Sequence, residues 1–217
     1  MGKVIALAVR APHSPAPARV TAVTALAGQG LHGDRHRDSR SPRQVLLASA
    51  AVYEDFRLPA HLLRENLLLD LDTAQLSSGT LLRVGASAVL RLSFQCEACG
   101  ALDIQRPGLA RAAKGRRGML ARVVAGGAIH EGDPAQILEE RMPAMPEDWR
   151  ERVTQVLDAL PPGMVVEYGM LARLAGVQSS YCRAFPRLLA ARGLEGLAVP
   201  ARSASSAPRW DGAGLYD

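Results

Sequence analysis

Along the first two thirds of the chain, apolar residues come in short, strand-length runs set between turns rich in glycine and proline. Val4 to Val9 and Val20 to Leu26 predict strands on either side of a Pro-rich turn at residues 11–17. Arg43 to Leu47 predicts another. Ala50, Val52, Tyr53 and Phe56 then predict a short helix that stops before Pro59, and Leu62 to Leu69 a helical turn running into a buried strand. Thr80 to Val84 and Ala88 to Phe94 flank Gly85-Ala86-Ser87 as a hairpin. Met119 to Val124 and Ala128 to His130 meet at Gly126-Gly127, and Ala135 to Leu138 closes the series. Many short strands with tight turns and brief helices predict a mainly β fold, a barrel with short helices.

The period changes after a Pro- and Met-rich stretch at residues 141–147, which reads as a linker between a domain at 1–140 and a second at 148–217. Trp149, Val153, Val156, Leu157 and Leu160 follow helical spacing up to Pro161-Pro162-Gly163. A second helix is expected from Gly169 to Leu174, broken by Gly176, and a third, capped by Ser179 or Ser180, running toward Arg192. This is a small α-helical module of winged-helix or helix-turn-helix type. The Ala-, Ser- and Gly-rich tail from Ala198 to Asp217 is expected to be a partly ordered loop.

No apolar run approaches the ~20 residues of a membrane span, and the N-terminus lacks a signal-peptide pattern, so a cytoplasmic protein with no membrane partner is expected. The chain carries a formal net charge of +5. From Pro146 onward eight basic residues balance eight acidic ones, so the excess belongs to the first part. Within the second part, Arg173, Arg183, Arg187 and Arg192 follow Tyr168 with no acidic residue before Leu194. With three cysteines, Cys96, Cys99 and Cys182, a disulfide scaffold is not expected.

Chemistry concentrates at Phe94-Gln95-Cys96-Glu97-Ala98-Cys99-Gly100, followed by Arg106, Arg111, Lys114, Arg116, Arg117 and Arg122 with no acidic residue between Asp103 and Glu131. A Cys-x-x-Cys pair has three functional readings. It can be a dithiol redox couple, which wants a helix N-terminus under the first thiol. It can be half of a zinc site, for which no second ligand pair is at hand. It can supply one thiolate to a soft metal centre, molybdenum-dithiolene in particular, with arginines on the phosphate of an organic ligand. The alternative is two small buried thiols at a strand end. Gly28 to His36 is a glycine-rich loop in which His32, Asp34 and His36 form a candidate metal triad, and Arg64-Glu65-Asn66 either anchors a ligand or satisfies backbone groups.

Gly30-Leu31-His32-Gly33-Asp34-Arg35-His36, Arg43-Gln44-Val45, Arg64-Glu65-Asn66-Leu67, the cysteine stretch, and Gly118 to Val123 through Gly126-Gly127 to Glu131-Gly132-Asp133-Pro134 together resemble the MOSC family, named for the C-terminal domain of molybdenum cofactor sulfurase. The resemblance implies a β-barrel that binds the molybdenum cofactor. Cys99, with Cys96 as the second choice, is the implied molybdenum ligand or sulfur carrier. Arg43, Arg64, Asn66, Arg116 and Arg117 are the implied cofactor partners. Some relatives reduce N-hydroxylated compounds. The pyridoxal-phosphate domain of larger sulfurases is absent from this chain, which implies delivery of the cofactor by another protein and an external redox partner.

Val153 to Leu160, Val166-Glu167-Tyr168-Gly169-Met170-Leu171-Ala172-Arg173 and Cys182-Arg183-Ala184-Phe185 resemble the DNA-binding domain of alkylguanine-DNA alkyltransferases. The resemblance implies duplex DNA as partner, with Tyr168 rotating a nucleotide outward, Arg183 filling the stack, and Arg173 and Arg187 alongside. Ala201 stands where the family's acceptor cysteine is expected, so alkyl transfer is excluded. The leading expectation is a molybdenum-cofactor protein that reduces N-hydroxylated, base-like compounds or carries sulfur to an acceptor, with an appended DNA-binding module. The alternative is a DNA-lesion binder without methyltransferase activity that uses the barrel as scaffold.

Overall fold

The computed structural model describes residues 1–216; the tail expectation also covers Asp217, which lies outside them. The chain divides into two compact units, one made of Met1–Ser39 and Arg43–Met145, the other of Arg40–Pro42 and the chain from Pro146 onward.

In chain order the first unit contains β1 (Gly2–Val9), β2 (Ala18–Val20), β3 (Ala22–Leu26), β4 (Gly30–Leu31), β5 (Val45–Ser49), α1 (Ala50–Phe56), β6 (Leu67–Leu69), β7 (Thr80–Val84), β8 (Ala88–Gln95), α2 (Gly100–Gln105), α3 (Leu109–Ala112), β9 (Met119–Ala125), β10 (Gly127–His130) and β11 (Pro134–Arg141). The main sheet runs β11-β7-β8-β9-β5-β6-β1, and pairing of β1 with β11 closes it into a 7-strand barrel. β2 adds outside the closure on β1, and β10-β3-β4 form a separate three-stranded sheet. Closure removes the open edges that would otherwise need covering. Leu7, Leu47, Leu67, Leu82, Leu90 and Met119 fill the interior, each at 0% exposure.

β5 and β6 run parallel, with Leu47 opposite Leu67. A parallel pair cannot be joined by a tight turn, so the chain leaves the barrel at residues 50–66 as a crossover before β6. That crossover needs a core of its own. Val52 and Leu63 pack with Ala48 and with Leu102, Leu109 and Ala113 from α2 and α3, all at or below 2% exposure. The two helices after the cysteines are therefore held by apolar contacts with the crossover. The sequence had predicted only β structure around the cysteines.

The linker predicted at 141–147 is pinned where it leaves the barrel: Met142 N donates to Gly79 O at 2.9 Å, Arg91 Nη2 to Pro143 O at 2.7 Å, and Met145 N to Ser78 Oγ at 2.7 Å. The second unit contains α4 (Trp149–Asp158), β12 (Val166–Glu167), α5 (Tyr168–Leu174), α6 (Phe185–Arg192) and β13 (Ala198–Val199). Asp148 caps α4 by accepting from Arg150 N at 2.6 Å. The expected third helix is split. A 3-10 segment at Ser179–Ala184 starts after Gln178, with no side-chain cap from a serine, and α6 follows it with Pro186 in its first turn. The tail is more ordered than its composition predicted: β13 pairs in parallel with β12, Trp210 N donates to Val165 O at 2.8 Å, and the Trp210 side chain is 5% exposed. Burial of that indole in the Val153, Leu171, Leu174 and Phe185 cluster outweighs the low local propensity of the tail.

Candidate functional site

β8 delivers Cys96 and Cys99 to one end of the barrel, where the two thiols occupy different environments. Cys96 is 4% exposed and its backbone N donates to Gly118 O at 2.8 Å. Burial pushes its thiol up, against the opposing pull of Arg117 and Arg43. Cys99 is half-buried and stands at the N-cap of α2. Partial burial acts to raise its thiol as well, but the Ala101 backbone N–H, the charge and hydrogen bond of Arg117, and the charge of Arg43 together outweigh it, so the group lies below the ordinary thiol value.

Arg117 acts on both thiols by its charge and hydrogen-bonds Cys99. It is 9% exposed, and its Nη1 donates to Glu97 O at 2.6 Å and to Cys99 Sγ at 3.2 Å. Its Nε is buried without a hydrogen-bond partner among the described residues. The following glycine explains how it arrives there. Gly118 has φ +133°, and a Cβ would sit 2.2 Å from Leu47 O, so only glycine lets the start of β9 pass this close to β5.

The other expected cofactor residues separate. Arg43 is half-buried, and its charge reaches both thiols. Arg116, next to Arg117 in sequence, bonds to Asp55 Oδ2 at 2.5 Å and lies 5.3 Å from the Phe56 ring centroid, on the crossover. Arg64 has φ 66° and donates from Nη2 to Pro15 O at 3.1 Å. Asn66 is 6% exposed and tied inside the fold. Its Oδ1 accepts from Leu46 N at 3.0 Å, and its Nδ2 donates to Asp34 Oδ2 at 2.8 Å and Ala8 O at 3.2 Å.

Asp34 completes that network. Besides Asn66 it accepts from Arg10 N at 2.9 Å, His36 N at 2.8 Å and His36 Nδ1 at 3.0 Å. Burial works to raise its carboxyl, and the His36 and Arg10 bonds overcome it and hold the group below the usual carboxylate range. Among the described residues no group of three or more His, Cys, Asp or Glu is placed to hold a metal ion, so His32, Asp34 and His36 do not form the triad their spacing suggested.

Sequence reasoning singled out Glu65 within Arg64-Glu65-Asn66 but passed over its partners on the crossover, Tyr53 and His61. Glu65 is 1% exposed, lies 3.0 Å from His61 Nδ1 through Oε1, and accepts from Tyr53 Oη through Oε2. Burial, then the Glu65 charge, drives the Tyr53 phenol far above its ordinary value. The available signal was the i, i+4 spacing of His61 and Glu65 beside Pro59.

In the second unit Tyr168 opens α5 and packs edge-on against Phe185 at 5.7 Å, while Arg173, Arg183, Arg187 and Arg192 are all exposed. Cys182 is half-buried, with its Sγ 3.4 Å from Tyr168 O. Among the described residues no helix is long and apolar enough to cross a membrane.

The MOSC domain model matches residues 35–136, a stretch that includes both clustered cysteines, Arg43, Arg64, Asn66, Arg116 and Arg117. Among solved structures, the YUAD protein from Bacillus subtilis superposes with a TM-score of 0.54 at 19% identity, over 63% of this chain and 96% of its own. YiiM from Geobacillus stearothermophilus superposes with a TM-score of 0.54 at 18% identity, over 87% of this chain and 100% of its own. At these identities the likeness is one of fold. No curated protein matches the chain. The alkyltransferase resemblance of the second unit rests on its sequence motifs alone.

Proposed function

We propose that the barrel binds the molybdenum cofactor, with Cys99 as its sulfur ligand, and acts in the reduction of N-hydroxylated compounds. The match to the MOSC domain is compatible with a cofactor-related function. The observation that carries the reading to Cys99 is the paired geometry of that residue and Arg117: a half-buried thiol held toward thiolate, beside a buried guanidinium whose Nε has no hydrogen-bond partner among the described residues.

The donor set fits the group. Thiolate sulfur is a soft ligand suited to molybdenum, and Arg117 with Arg43 offers positive charge to its anionic phosphate. Bound there, the cofactor would supply two-electron oxygen-atom chemistry. The chain's own residues lower the Cys99 thiol below its ordinary value through the Ala101 N–H, Arg117 and Arg43, and Arg117 bonds to the sulfur, while burial pushes Cys96 the other way. Asn66 belongs to the frame in this reading, and Arg116 braces the crossover.

The test is molybdenum per protein by elemental mass spectrometry, after expression in a host that makes the cofactor. Wild type should carry near-stoichiometric metal and Cys99→Ser should lose it. Metal-free wild type from a host shown to contain cofactor would end this reading and favour sulfur carriage on Cys99, which mass spectrometry of the intact protein would register as a reductant-sensitive sulfur adduct.

A second reading concerns the second unit, and the exposure of Arg173, Arg183, Arg187 and Arg192 favours it: we propose that this face binds duplex DNA. Affinity should fall steeply with salt and weaken in Arg183→Ala. Binding that ignores both would remove it.

A further inference from the structure

Beyond Arg57, which closes α1 at φ 49°, two residues of the crossover, His61 at φ 58° and Arg64 at φ 66°, hold the left-handed conformation without being glycine. Such outliers cost backbone energy and persist where the surroundings fix a side chain in place. Both face one cleft of about 420 Å³, walled in part by the rings of Pro15 and Pro59 and completed by Gln105 of α2. The volume is that of a small-molecule site, with polar and apolar lining in about equal measure.

His61 and Arg64 are held in place by their neighbours. The Glu65 carboxylate is buried and lies 3.0 Å from His61 Nδ1, which orients the ring with Nε2 turned away from Glu65. Glu65 is itself held by Tyr53 Oη, which in turn accepts from Leu63 N at 3.1 Å. Arg64 bonds through Nη2 to Pro15 O at 3.1 Å, which lays the guanidinium against the proline turn. Its other donors make no hydrogen bond among the described residues.

We propose that this cleft binds a small, flat organic acid that also carries a hydroxyl or N–H group. The carboxylate pairs with Arg64, the polar group reaches His61 Nε2, and the ring lies against the prolines. Glu65 is a positioning residue that orients the histidine ring. The site requires no bound cofactor, and its test is independent of molybdenum.

Cofactor-free protein is titrated calorimetrically with 3-hydroxybenzoate and 4-hydroxybenzoate, with methyl 4-hydroxybenzoate as the uncharged control. At least one acid should bind saturably at one site, and the ester should bind at least roughly tenfold more weakly, as expected for loss of a charge-assisted hydrogen bond. Arg64→Gly should lose binding by a similar factor while melting at or above the wild-type temperature, because glycine adopts this backbone freely. Should that variant melt lower, Arg64→Asn, which also tolerates the left-handed region, takes its place. Glu65→Gln should change the nitrogen NMR shifts of the His61 ring and weaken binding. The proposal is overturned if neither acid binds at up to about 10 mM, a limit weaker than the millimolar range of weak ligands, or if ester and acid bind alike. Unchanged binding by a folded position-64 variant would overturn it as well.

Discussion

Two polar corners of the barrel carry motif residues of the same kind and differ in how much of their bonding capacity the fold consumes. Around Asp34 and Asn66 nothing is left over. The carboxylate receives four contacts, from Arg10 N, His36 N, His36 Nδ1 and Asn66 Nδ2, and Asn66 also binds Leu46 N and Ala8 O. Around Cys99 and Arg117 the account stays open, with a half-buried sulfur and a buried Nε that has no partner among the described residues. A polar residue whose donors and acceptors are all engaged inside the chain is a tie. One that keeps a buried group unpaired is where a ligand gains most.

The contrast is tested most severely by stability. Asn66→Ala strands Leu46 N and removes a donor from buried Asp34, at about 3 kcal/mol, lowering the melting temperature by roughly 6–12 °C for a chain of this size. Arg117→Gln keeps a donor near Glu97 O and should cost about 1 kcal/mol. Differential scanning calorimetry of both variants decides. Equal losses would mean that the cysteine corner is as much a structural tie as the other.

Acid should act on the same distinction. The Asp34 carboxyl is lowered in the folded protein, so the folded state binds its proton less readily than the unfolded chain does. Its contribution is complete above the unfolded carboxylate value, near 3.9, and is lost as pH falls through the lower folded value. Urea unfolding of wild type against Asp34→Asn should show an advantage at pH 6 that shrinks below about pH 4. An advantage independent of pH would detach the charge from the role of this network.

How far each corner was legible follows from the range of its causes. The barrel strands were readable because alternation and turn residues are local, as in the hairpin of β7 and β8 around Gly85. α2 and α3 were not, because they are short and stabilised by Leu102, Leu109 and Ala113 meeting Val52 and Leu63 from far back in the chain. The arginines show the same limit. Arg116 and Arg117 are adjacent and chemically identical, yet one ends on Asp55 and the other on Cys99, and what separates them is the close passage of Gly118 beneath Leu47. Asn66 stood out as a motif residue, but its partners Asp34 and Leu46 come from other turns of the fold, so the sequence left open whether it binds a ligand or the backbone. In the second unit, the composition of the tail concealed the burial of Trp210.

The smallest expected effect is on the thiols themselves. In cofactor-free protein, alkylation by iodoacetamide should report Cys99 as the reactive member of the pair, with its pH profile displaced below that of a free thiol, because thiolate is the reacting form. Arg117→Gln removes a full charge and the guanidinium hydrogen bond, so the profile should move upward and the rate near neutrality should fall. Arg116→Gln should leave the profile in place, since that guanidinium is engaged with Asp55. Cys96, buried and pushed up, should react only when the protein unfolds. Peptide mapping of the alkylated sites separates these cases. If the two arginine variants shift the profile equally, bulk positive charge governs the thiol. If Arg117→Gln alone shifts it, the guanidinium that meets Sγ at 3.2 Å, by its charge and its bond, acts on the thiol alongside the Ala101 N–H.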